Sequence, residues 1–513
     1  MKRRGMVLLA LIAGLCLGGL FLSGNADAAS KIKIDKKHFP GKIFREYVRG
    51  FDTNKDGYLS KKERDAVKRI EVDNGKLPSD ERLGVASVVN MKGLEHFAQV
   101  EVIWIYGHKL KNLKFDSLKN LELVHVSRCI KVDGKKSDKK FDFRKNTKLK
   151  VVSLAEIGSE VDKILFAKDN GIKQFSLEVP DKLKEVDLSS LSKVENLSIT
   201  GGAALESIDL GKCPLLKRAF ITDNKKLTDL DCSGNPDLEE LWGSDNHLVS
   251  LDISKNIKLR EMNIWSNCLS KLDVSQNVKL QNLNCGFNFF ETMDISMLKN
   301  LRIFECAGCR MKELNFKGNP GLEYLKCQYN HLETLDLSEN KKLRTIKCGG
   351  NPIETLDISG LPELERLDCE YARLSSLDIS KNEKLTAVIW RGNCIKSVAG
   401  IENLLGTETE IIENEQKTQL LPPADGTVDE GVPIDKGHFP DYALRYEVLA
   451  DFDTNHDGVL SEKESLARQP LKLKKFGASS RREIDCTGME YLKGITEVIS
   501  GSDTTLLNNT FKK

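Results

Sequence analysis

The sequence predicts an α/β repeat solenoid, built from short parallel strands and closed by a small helical module at each end. Three observations predict this class. An apolar pattern recurs at a step of 21 or 22 residues through the middle of the 513-residue chain. Two copies of a twelve-residue acidic loop flank that region. Beside each loop, apolar residues recur with helical spacing. One long repeat array with end modules therefore fits the length better than several independent globular domains.

One apolar position sets the register of the repeat. It is the third apolar residue of a pattern written LxxLxC, and at steps of 21 residues it is occupied by Gly243, Ile264, Cys285, Cys306, Cys327, Cys348, Cys369 and Trp390. Upstream it falls on Leu177, Ile199 and Ile221 at steps of 22 and, less regularly, on Ile105, Val126 and Leu154. One coil cannot bury its own apolar face, so coils stack and share a core. Residues 94–400 are therefore predicted to form a leucine-rich repeat horseshoe of about fourteen units.

Each unit divides into a strand half and a return half. The LxxLxC segment is predicted to form a strand on the concave side, where side chains alternate between core and surface. Segments such as LDISKN and LDLSEN are predicted to cross the convex side. Asparagine recurs three residues after the register position, at Asn246, Asn267, Asn288, Asn330, Asn351 and Asn393. We expect its side chain to hydrogen-bond turn backbone that has no strand partner.

Each acidic loop carries the ligand pattern of an EF-hand calcium site. Positions 1, 3, 5, 7, 9 and 12 are Asp52, Asn54, Asp56, Tyr58, Ser60 and Glu63 in the first loop, and Asp453, Asn455, Asp457, Val459, Ser461 and Glu464 in the second. Ca²⁺ requires oxygen ligands, a bidentate carboxylate at position 12 and a sharp turn at position 6, where Gly57 and Gly458 stand. Both loops are therefore predicted to bind Ca²⁺ in a structural or regulatory role. Extracellular modules of this type bind it at about 10⁻⁴–10⁻³ M.

The loops belong to a module that occurs twice, at 32–93 and 433–500. One helix face enters the first loop at Ile43, Tyr47, Val48 and Phe51, and Leu444, Val448, Leu449 and Phe452 repeat that face. The loop exits, SKKE and SEKE, have the spacing of a capping box, in which a serine and a glutamate bond reciprocally at a helix start. The shared lead-ins IDKKHFP and IDKGHFP place His38 and His438 in a capping or packing role.

The segment 1–28 has the features of a secretory signal peptide. Three basic residues, 2–4, precede an apolar run, 6–22, and a small-residue cleavage pattern ends at Ala28. Two alternatives remain: lipidation at Cys16, and an uncleaved anchor, because about 17 apolar residues suffice to span a bilayer. Cleavage predicts a secreted or cell-surface protein with no transmembrane segment in the mature chain.

Charge gives no sign of a nucleic-acid partner. The chain has 78 Lys and Arg against 76 Asp and Glu. Loss of the leader removes three basic residues and Asp27, which leaves 75 of each sign. Binding to nucleic acid needs a net basic face. The mature chain is therefore not expected to bind nucleic acid.

Two segments lie outside the modules. Residues 401–432 are polar and acidic, contain Pro422 and Pro423 and lack either period, so we interpret them as a linker. Residues 501–513 follow the segment ITEVIS, which matches VEVIWI at the start of the first repeat. The second module is therefore followed by the beginning of one coil, and one coil cannot form a solenoid. The tail is therefore either the start of a further repeat in a truncated protein or part of a free calcium-binding module.

The cysteine pattern favours free thiols, although many cysteines in an exported chain usually indicate a disulfide scaffold. Cys285, Cys306, Cys327, Cys348 and Cys369 occupy one interior column in which neighbouring coils carry Ile or Trp, so we expect them to pack as small apolar side chains. Disulfide pairing stays open, because neighbouring strands bring α-carbons within bonding range. A zinc site is disfavoured, because the column offers no His and stacked thiols do not converge tetrahedrally.

These features together resemble the secreted bacterial internalin-like leucine-rich repeat proteins. The resemblance rests on the loop from Asp52 to Glu63, the register from Ile105 to Trp390 and the cysteine column. The unit LxxLxCxxNxLxxLDLSxN is similar to that of the cysteine-ladder branch. The resemblance implies a curved solenoid with an EF-hand-like N-terminal cap, and a role in adhesion or host contact. Two features depart from the family pattern. Many family caps bind no metal, whereas the calcium-ligand pattern of this loop is complete. The sequence also shows neither an obvious immunoglobulin-like domain after the repeats nor an LPxTG-type anchor.

Outward positions of the concave strands form the candidate partner surface. Aromatic residues fall on outward or loop-facing positions at Trp242, Trp265, Phe287, Tyr324, Tyr329 and Tyr371. Exposed rings on a rigid surface are candidate anchors for a protein or a glycan, whereas the alternative is that some fold back over coil edges. Beside them, Glu305, Lys326, Lys347 and Asp368 form a mixed-charge column of the kind usual on a solvated face.

The sequence carries no recognisable catalytic motif. It lacks HExxH, GxSxG and a glycine-rich phosphate loop. An enzyme is therefore not expected, and Ca²⁺ is the expected bound ion. Two functions fit these observations. One is a secreted interaction protein, expected to be a monomer, whose concave face binds a protein or glycan. The other is a calcium-responsive module or a truncated member of a larger repeat adhesin.

Overall fold

A computed structural model describes most of the chain up to residue 401 and separate segments beyond it. The described residues are 31–73, 88–131, 140–158, 161–390, 392–395, 397–401, 410–412, 431–433, 438–439, 444, 448, 452, 459–467, 471–472, 482–485, 487–496, 498–499 and 504–507. The predicted leader, most of the predicted linker and three predicted ligands of the second loop, Asp453, Asn455 and Asp457, lie outside these residues.

Sixteen strands form one parallel sheet that follows the register of the repeat. In chain order they are Arg69–Asp73, Val102–Tyr106, Leu123–Ser127, Val151–Ala155, Gln174–Glu178, Asn196–Thr200, Arg218–Thr222, Glu240–Trp242, Glu261–Asn263, Asn282–Asn284, Ile303–Glu305, Tyr324–Lys326, Thr345–Lys347, Arg366–Asp368, Ala387–Ile389 and Glu410–Ile412. In neighbouring strands the residues at the register position lie opposite each other, as Ile105 lies opposite Val126. The predicted horseshoe of parallel strands is confirmed.

Alternation along the strands sends one set of side chains into the interior. The register position is buried in every coil from Ile105 to Trp390, and the apolar residue two positions earlier, such as Leu241 or Leu283, is buried as well. Full burial of one such leucine stabilises the fold by about 1.5–3 kcal/mol. One cluster of buried apolar side chains extends from Ile34 to Ile395. The first module therefore shares its core with the solenoid.

The sheet extends one strand beyond the predicted array at each end. Strand Arg69–Asp73 lies within the predicted cap and sets Val72 in register with Ile105. Strand Glu410–Ile412 lies within the predicted linker and pairs with Ala387–Ile389. A terminal coil would otherwise leave a row of unpaired backbone groups at the sheet edge. The extra strands supply those partners.

The recurrent asparagine holds the turn that follows each strand. Asn288 donates through Nδ2 to the carbonyl oxygens of Ile264 and Cys285, both at 3.0 Å, and its Oδ1 accepts from the N–H of Leu269 at 3.0 Å. The same three bonds recur at Asn267, Asn330, Asn351 and Asn393. Each asparagine thus satisfies backbone groups of two coils, and its predicted role is confirmed.

A second asparagine column links the convex halves. Asn256, the last residue of an LDISKN segment, donates through Nδ2 to the carbonyl oxygens of Cys232 and Asn235, both at 2.9 Å. Equivalent pairs of bonds occur at Asn277, Asn319, Asn340 and Asn382. Asp252 of the same segment accepts from the N–H of Ser254 at 2.8 Å and so closes the preceding turn. The convex side is therefore held by side-chain bonds rather than by a continuous sheet.

Shorter elements complete the edges of the solenoid. They are the three-stranded sheet of Val88–Asn90, Lys109–Lys111 and Ile130–Lys131, the pair Lys140–Phe143 with Lys163–Phe166, the pair Leu377–Asp378 with Val398–Ala399, and the 3₁₀ turns Leu94–His96 and Leu210–Lys212. None of the helices in the described part of the chain has the length and apolar content needed to span a bilayer.

The first module packs two helices and a two-stranded sheet around its loop. Its elements are the antiparallel pair Ile32–Lys33 with Tyr58–Leu59 and the helices Lys42–Arg49 and Lys61–Ala66. Of the predicted helix face, Val48 is buried, and Ile43, Tyr47 and Phe51 are partly buried against the core. Phe44, which the sequence pattern did not include, is fully buried. The helix is confirmed, but its central core residue is Phe44.

The described elements of the second module match elements of the first. Its elements are the antiparallel pair Gly431–Pro433 with Val459–Ser461, the helix Glu462–Ser465, the 3₁₀ turn Met489–Tyr491, and the parallel pairs Leu471–Lys472 with Val498–Ile499 and Arg482–Asp485 with Thr504–Leu507. Leu444, Val448 and Phe452 of the predicted helix face are buried in a separate core, whereas Leu449 lies outside the described residues. Strand Thr504–Leu507 falls in the predicted tail, so repeat-like pairing continues there.

Candidate calcium loops and partner-facing surface

The first half of the first calcium loop gathers three predicted ligands around its own backbone. Asp52 accepts from the N–H of Asp56 at 3.2 Å and of Gly57 at 2.9 Å. Asn54 Oδ1 accepts from Asp56 N–H at 3.0 Å, and Asp56 Oδ1 accepts from Tyr58 N–H at 2.8 Å. Gly57 has φ of 80°, a conformation that glycine adopts at least cost. The loop therefore keeps the sharp turn that an EF-hand needs.

Glu63, the predicted bidentate ligand, is bound to other groups of the loop. Its Oε1 accepts from the N–H and the hydroxyl of Thr53 at 2.8 and 2.7 Å, and its Oε2 accepts from the N–H and the hydroxyl of Ser60, both at 2.9 Å. Ser60 Oγ in turn accepts from Glu63 N–H, so the predicted capping box is present. Burial raises the pKa of Glu63, but the bonds from Ser60 and Thr53 outweigh burial and lower it. Glu63 is thus held ionised.

An ammonium group lies beside the fifth residue of the first loop. Lys31 Nζ lies 2.8 Å from Asp56 Oδ2, and this bond lowers the pKa of the Asp56 carboxyl. Lys31 directly precedes strand Ile32–Lys33, which pairs with Tyr58–Leu59 of the loop. The strand pairing therefore places the positively charged ammonium of Lys31 beside Asp56, a predicted calcium ligand.

The donor set of the first loop fits calcium by type. Asp52, Asn54, Asp56 and Glu63 offer the carboxylate and amide oxygens that Ca²⁺ prefers. Within the described residues, however, no three His, Cys, Asp or Glu side chains are placed together to hold a metal ion. In this loop the oxygens of Glu63 accept hydrogen bonds from Thr53 and Ser60. Calcium would therefore compete with Thr53 for the Glu63 carboxylate.

The described part of the second loop matches the first. Ser461 donates through its N–H and its hydroxyl to Glu464 Oε2 at 3.0 and 2.9 Å, and its own Oγ accepts from Glu464 N–H. The second predicted capping box is therefore present as well. Val459 lies in strand Val459–Ser461, as Tyr58 lies in the equivalent strand of the first module.

Two of the six predicted aromatic anchors lie on the outward face of sheet strands. Trp242 and Tyr324 are both half-buried. The Trp242 ring packs against Phe220, its partner in the neighbouring strand, with ring centroids 5.7 Å apart. Burial raises the pKa of Tyr324 to about 12. Both residues belong to the surface that the sheet presents outward.

The other four predicted anchors lie just beyond the strand ends. Trp265 follows strand Glu261–Asn263. Phe287, Tyr329 and Tyr371 occupy the next turn position, with φ of 53°, 57° and 51°. In the following coil the same position is a glycine: Gly308, Gly350 or Gly392. A Cβ added to these glycines would lie 3.1 Å from a ring carbon of Phe287, 2.5 Å from one of Tyr329 and 2.3 Å from one of Tyr371. These three rings therefore fold back over the next coil, as the alternative interpretation expected, and remain half-buried.

The mixed-charge column is linked to neighbouring polar side chains. Gln328 Nε2 donates to Asp368 Oδ2 at 3.0 Å, and Asn284 Nδ2 donates to Glu305 Oε2 at 3.3 Å. Lys326 lies between Glu305 and Lys347 in the sheet register. Burial lowers the pKa of Lys326. The column therefore presents charges of both signs rather than a field of one sign.

A further aromatic cluster lies on the outward face of the first coils. Trp104 stacks on His125 with ring centroids 4.0 Å apart and an interplanar angle of 27°. His125 Nδ1 lies 3.1 Å from Ser153 Oγ, and the Arg69 guanidinium lies 5.8 Å from the Trp104 ring centroid. Burial lowers the pKa of His125. The predicted anchors omit this cluster, although Trp104 and His125 each stand one residue before a register position and were therefore recognisable as outward.

Solved structures with the same succession of strands and turns exist. The functional domain of InlJ from Listeria monocytogenes, which includes a cysteine ladder, aligns with a TM-score of 0.61 at 20% identity, over 74% of this chain and 80% of that one. A leucine-rich repeat protein of Leptospira interrogans aligns with a TM-score of 0.51 at 15% identity, over 68% of this chain and 84% of that one. The chain has the leucine-rich repeat solenoid fold of these structures. Its sequence matches no family model and no curated protein.

The cysteine column of this solenoid is part of its core. The eleven cysteines in the described residues are free thiols, and the five column cysteines are fully buried. Burial raises their pKa values, to about 12 at Cys327. Such thiols stay protonated and lack the thiolate that metal binding and disulfide exchange require. The column therefore packs as a row of small apolar side chains.

Proposed function

We propose that this internalin-type solenoid is a non-enzymatic interaction protein, exported to the surface or surroundings of a bacterium, that binds a protein ligand through the outward side chains of its sheet. The observation that carries the proposal is the row of sixteen parallel strands whose outward positions hold half-buried aromatic residues. Stacked coils of this kind form extended concave surfaces that are used for binding.

Two ring pairs supply the candidate anchors on this surface. Trp104 stacks on His125 near its start, and Trp242 packs on Phe220 near its middle. Each ring is already held by a neighbouring coil, so little side-chain entropy remains to be lost on binding. Large aromatic side chains in such settings often dominate interface energetics. We therefore expect Trp104 and Trp242 to contribute most to affinity.

The charges beside the rings favour a protein over a polyanion. Glu195 forms ion pairs with both Lys173 and Lys217, at 2.9 Å each, beside the strand starts. Farther along, Lys326 has Glu305 on one side and Lys347 on the other. A surface with both signs interspersed creates no single-sign field to attract nucleic acid or an acidic polymer. A protein surface with its own mixed charges is the complementary ligand.

The test is binding of the purified chain to arrays of extracellular proteins and glycans. The ring variant carries Trp104→Ala and Trp242→Ala, and the matched control carries Leu215→Ala and Ile257→Ala, two exposed apolar residues outside the strand halves. A protein ligand bound by the parent and the control, but at least tenfold more weakly by the ring variant, supports the proposal. If the chain captures glycans and no protein, the proposed protein ligand is wrong and the ligand is a carbohydrate.

A calcium-responsive module is the second candidate function, and the first loop favours it. Asp52, Asn54 and Asp56 already share one hydrogen-bonded turn. The capping box sets the closing ligand, Glu63, in the first turn of helix Lys61–Ala66, so calcium at the loop would couple to the start of that helix. In the adhesion function calcium would stiffen the cap, whereas in the responsive function it would change the arrangement of the two modules.

Calcium titration distinguishes these roles. A higher melting temperature with an unchanged small-angle scattering profile supports a stiffened cap. A calcium-dependent change in the scattering profile supports a responsive module. Absence of bound calcium in equilibrium dialysis contradicts both.

A further inference from the structure

The two predicted calcium loops have the same side-chain ligands, but a position in the strand region beside each loop differs in charge. Ile32 stands opposite Leu59 in the first module, as Val432 stands opposite Leu460 in the second. The residue that directly precedes this pair is therefore equivalent in the two modules. It is Lys31 in the first and Gly431 in the second.

Lys31 brings a cation of the protein's own to the first loop. Its ammonium bonds Asp56 Oδ2 at 2.8 Å, while Asp56 Oδ1 accepts from Tyr58 N–H, so both oxygens of this predicted ligand have donors. Both oxygens of Glu63 also have donors, from Thr53 and Ser60. Both oxygens of Asp52 accept backbone N–H groups as well, so all three carboxylates of the first loop have protein donors, and Lys31 is the one donor among them that carries a charge.

The second loop has no room for an equivalent lysine. A Cβ built on Gly431 would lie 2.3 Å from the carbonyl oxygen of Leu460 and 2.9 Å from the α-carbon of Ser461. These are backbone atoms that cannot move aside without disturbing the strand pair. The backbone itself therefore excludes any side chain at this position, and with it a tethered cation.

We infer that Lys31 is a tethered competitor of calcium, so that the first loop binds calcium more weakly than the second, where Gly431 carries no side chain. The inference rests on the proposed calcium binding of both loops. Calcium at the first loop would displace the ammonium from Asp56 and then lie beside it. A unit positive charge about 4–5 Å from a divalent ion weakens its binding by roughly tenfold even in an aqueous setting. Lys31 thus sets the relative affinity of the two loops.

Terbium luminescence on the full chain isolates the first loop. Terbium(III) accepts the oxygen ligands of calcium and emits when an excited tyrosine lies beside it. Tyr58 stands at position 7 of the first loop, where the second loop has Val459, which cannot sensitise the ion. The variants are Lys31→Gln and, as a matched control, Lys37→Gln, which changes another exposed lysine of the same module. Tyr58→Phe establishes that the emission comes from the first loop.

We expect Lys31→Gln to raise the affinity of the Tyr58 site for calcium by about tenfold, and for terbium by more than that because terbium(III) carries a larger charge. Lys37→Gln should leave both affinities unchanged. Equilibrium dialysis of the parent chain with radioactive calcium should show a tighter site, which Glu464→Gln removes, and a weaker one. Two sites of equal affinity that Lys31→Gln leaves unchanged would overturn the inference while preserving calcium binding. No bound calcium in the parent or in Lys31→Gln would overturn the calcium proposal itself.

Discussion

Ser60 and Glu63 bind each other across the first turn of helix Lys61–Ala66. Glu63 N–H donates to Ser60 Oγ at 3.2 Å, and Ser60 N–H donates to Glu63 Oε2 at 2.9 Å. Ser461 and Glu464 form the same reciprocal pair. Because the glutamate also stands at the closing position of the predicted calcium loop, one side chain would serve both the helix start and the proposed metal site.

Substitution of Glu63 by glutamine or alanine separates these two roles. Glutamine can still complete a capping box, whereas alanine cannot. In chelator, Glu63→Ala is therefore expected to be less stable than Glu63→Gln by about 1 kcal/mol, as measured by thermal unfolding. Both variants should lose the calcium-dependent rise in melting temperature. Equal stability of the two variants in chelator would show that the cap contributes nothing.

Asn288→Ala is expected to destabilise the solenoid by about 1–3 kcal/mol, because it removes the acceptor of the Leu269 N–H and one of the two donors to each of the carbonyl groups of Ile264 and Cys285. Asn300→Ala is the matched control, since its exposed side chain makes one bond, to the carbonyl of Val278, at 2.9 Å. Urea unfolding followed by circular dichroism measures both. If the two variants unfold at the same urea concentration, the proposed stabilising role of the asparagine ladder is wrong.

The fixed period made the architecture predictable from the sequence. A step of 21 or 22 residues sets which side chain of each coil is buried, so the core column from Ile105 to Trp390 and the asparagine turns followed directly. The extra strands did not follow, because Arg69–Asp73 and Glu410–Ile412 pair through their backbones and lie where the repeat pattern fades. Parallel pairing needs no particular side chain and leaves little trace in a sequence.

The candidate sites were predictable in part. Spacing identified both capping boxes, because these depend on residues close in the chain, whereas the calcium ligands of the loops stay a prediction. It did not reveal that Lys31 bonds Asp56, since that contact depends on the strand pairing of the folded module. Nor did it decide between the two interpretations of Tyr329, whose direction depends on Gly350 in the next coil.

Gly350→Ala tests the packing of Tyr329 over the next coil. Gly350 has φ of 64°, and an added Cβ would lie 2.5 Å from the Tyr329 ring. A left-handed conformation costs a residue with a side chain about 1–2 kcal/mol, so stability should fall by at least that amount. Gly360→Ala is the control, because no atom lies within 4 Å of the added Cβ. Thermal unfolding should show a lower melting temperature for Gly350→Ala alone, and equal melting temperatures would contradict the packing.

The column cysteines are expected to be inert in the folded chain and to destabilise it at alkaline pH. Burial raises the pKa of Cys327 to about 12, above the value of about 8.5 for an exposed thiol. A raised folded pKa gives a stabilisation that is complete below about pH 8.5 and is lost as pH rises towards 12. Iodoacetamide at pH 8 should therefore label the five column cysteines only after denaturant is added. Rapid labelling of the native protein would contradict their burial.

The decisive measurement is the affinity of a captured protein ligand for three forms of the chain, determined by biolayer interferometry. The forms are the parent, the ring variant with Trp104→Ala and Trp242→Ala, and the control with Leu215→Ala and Ile257→Ala. The three forms are compared at matched thermal stability. Binding through the outward face of the sheet predicts a loss of tenfold or more in the ring variant and no change in the control. Equal affinities for all three chains, or a loss confined to the control, would contradict that mode of binding.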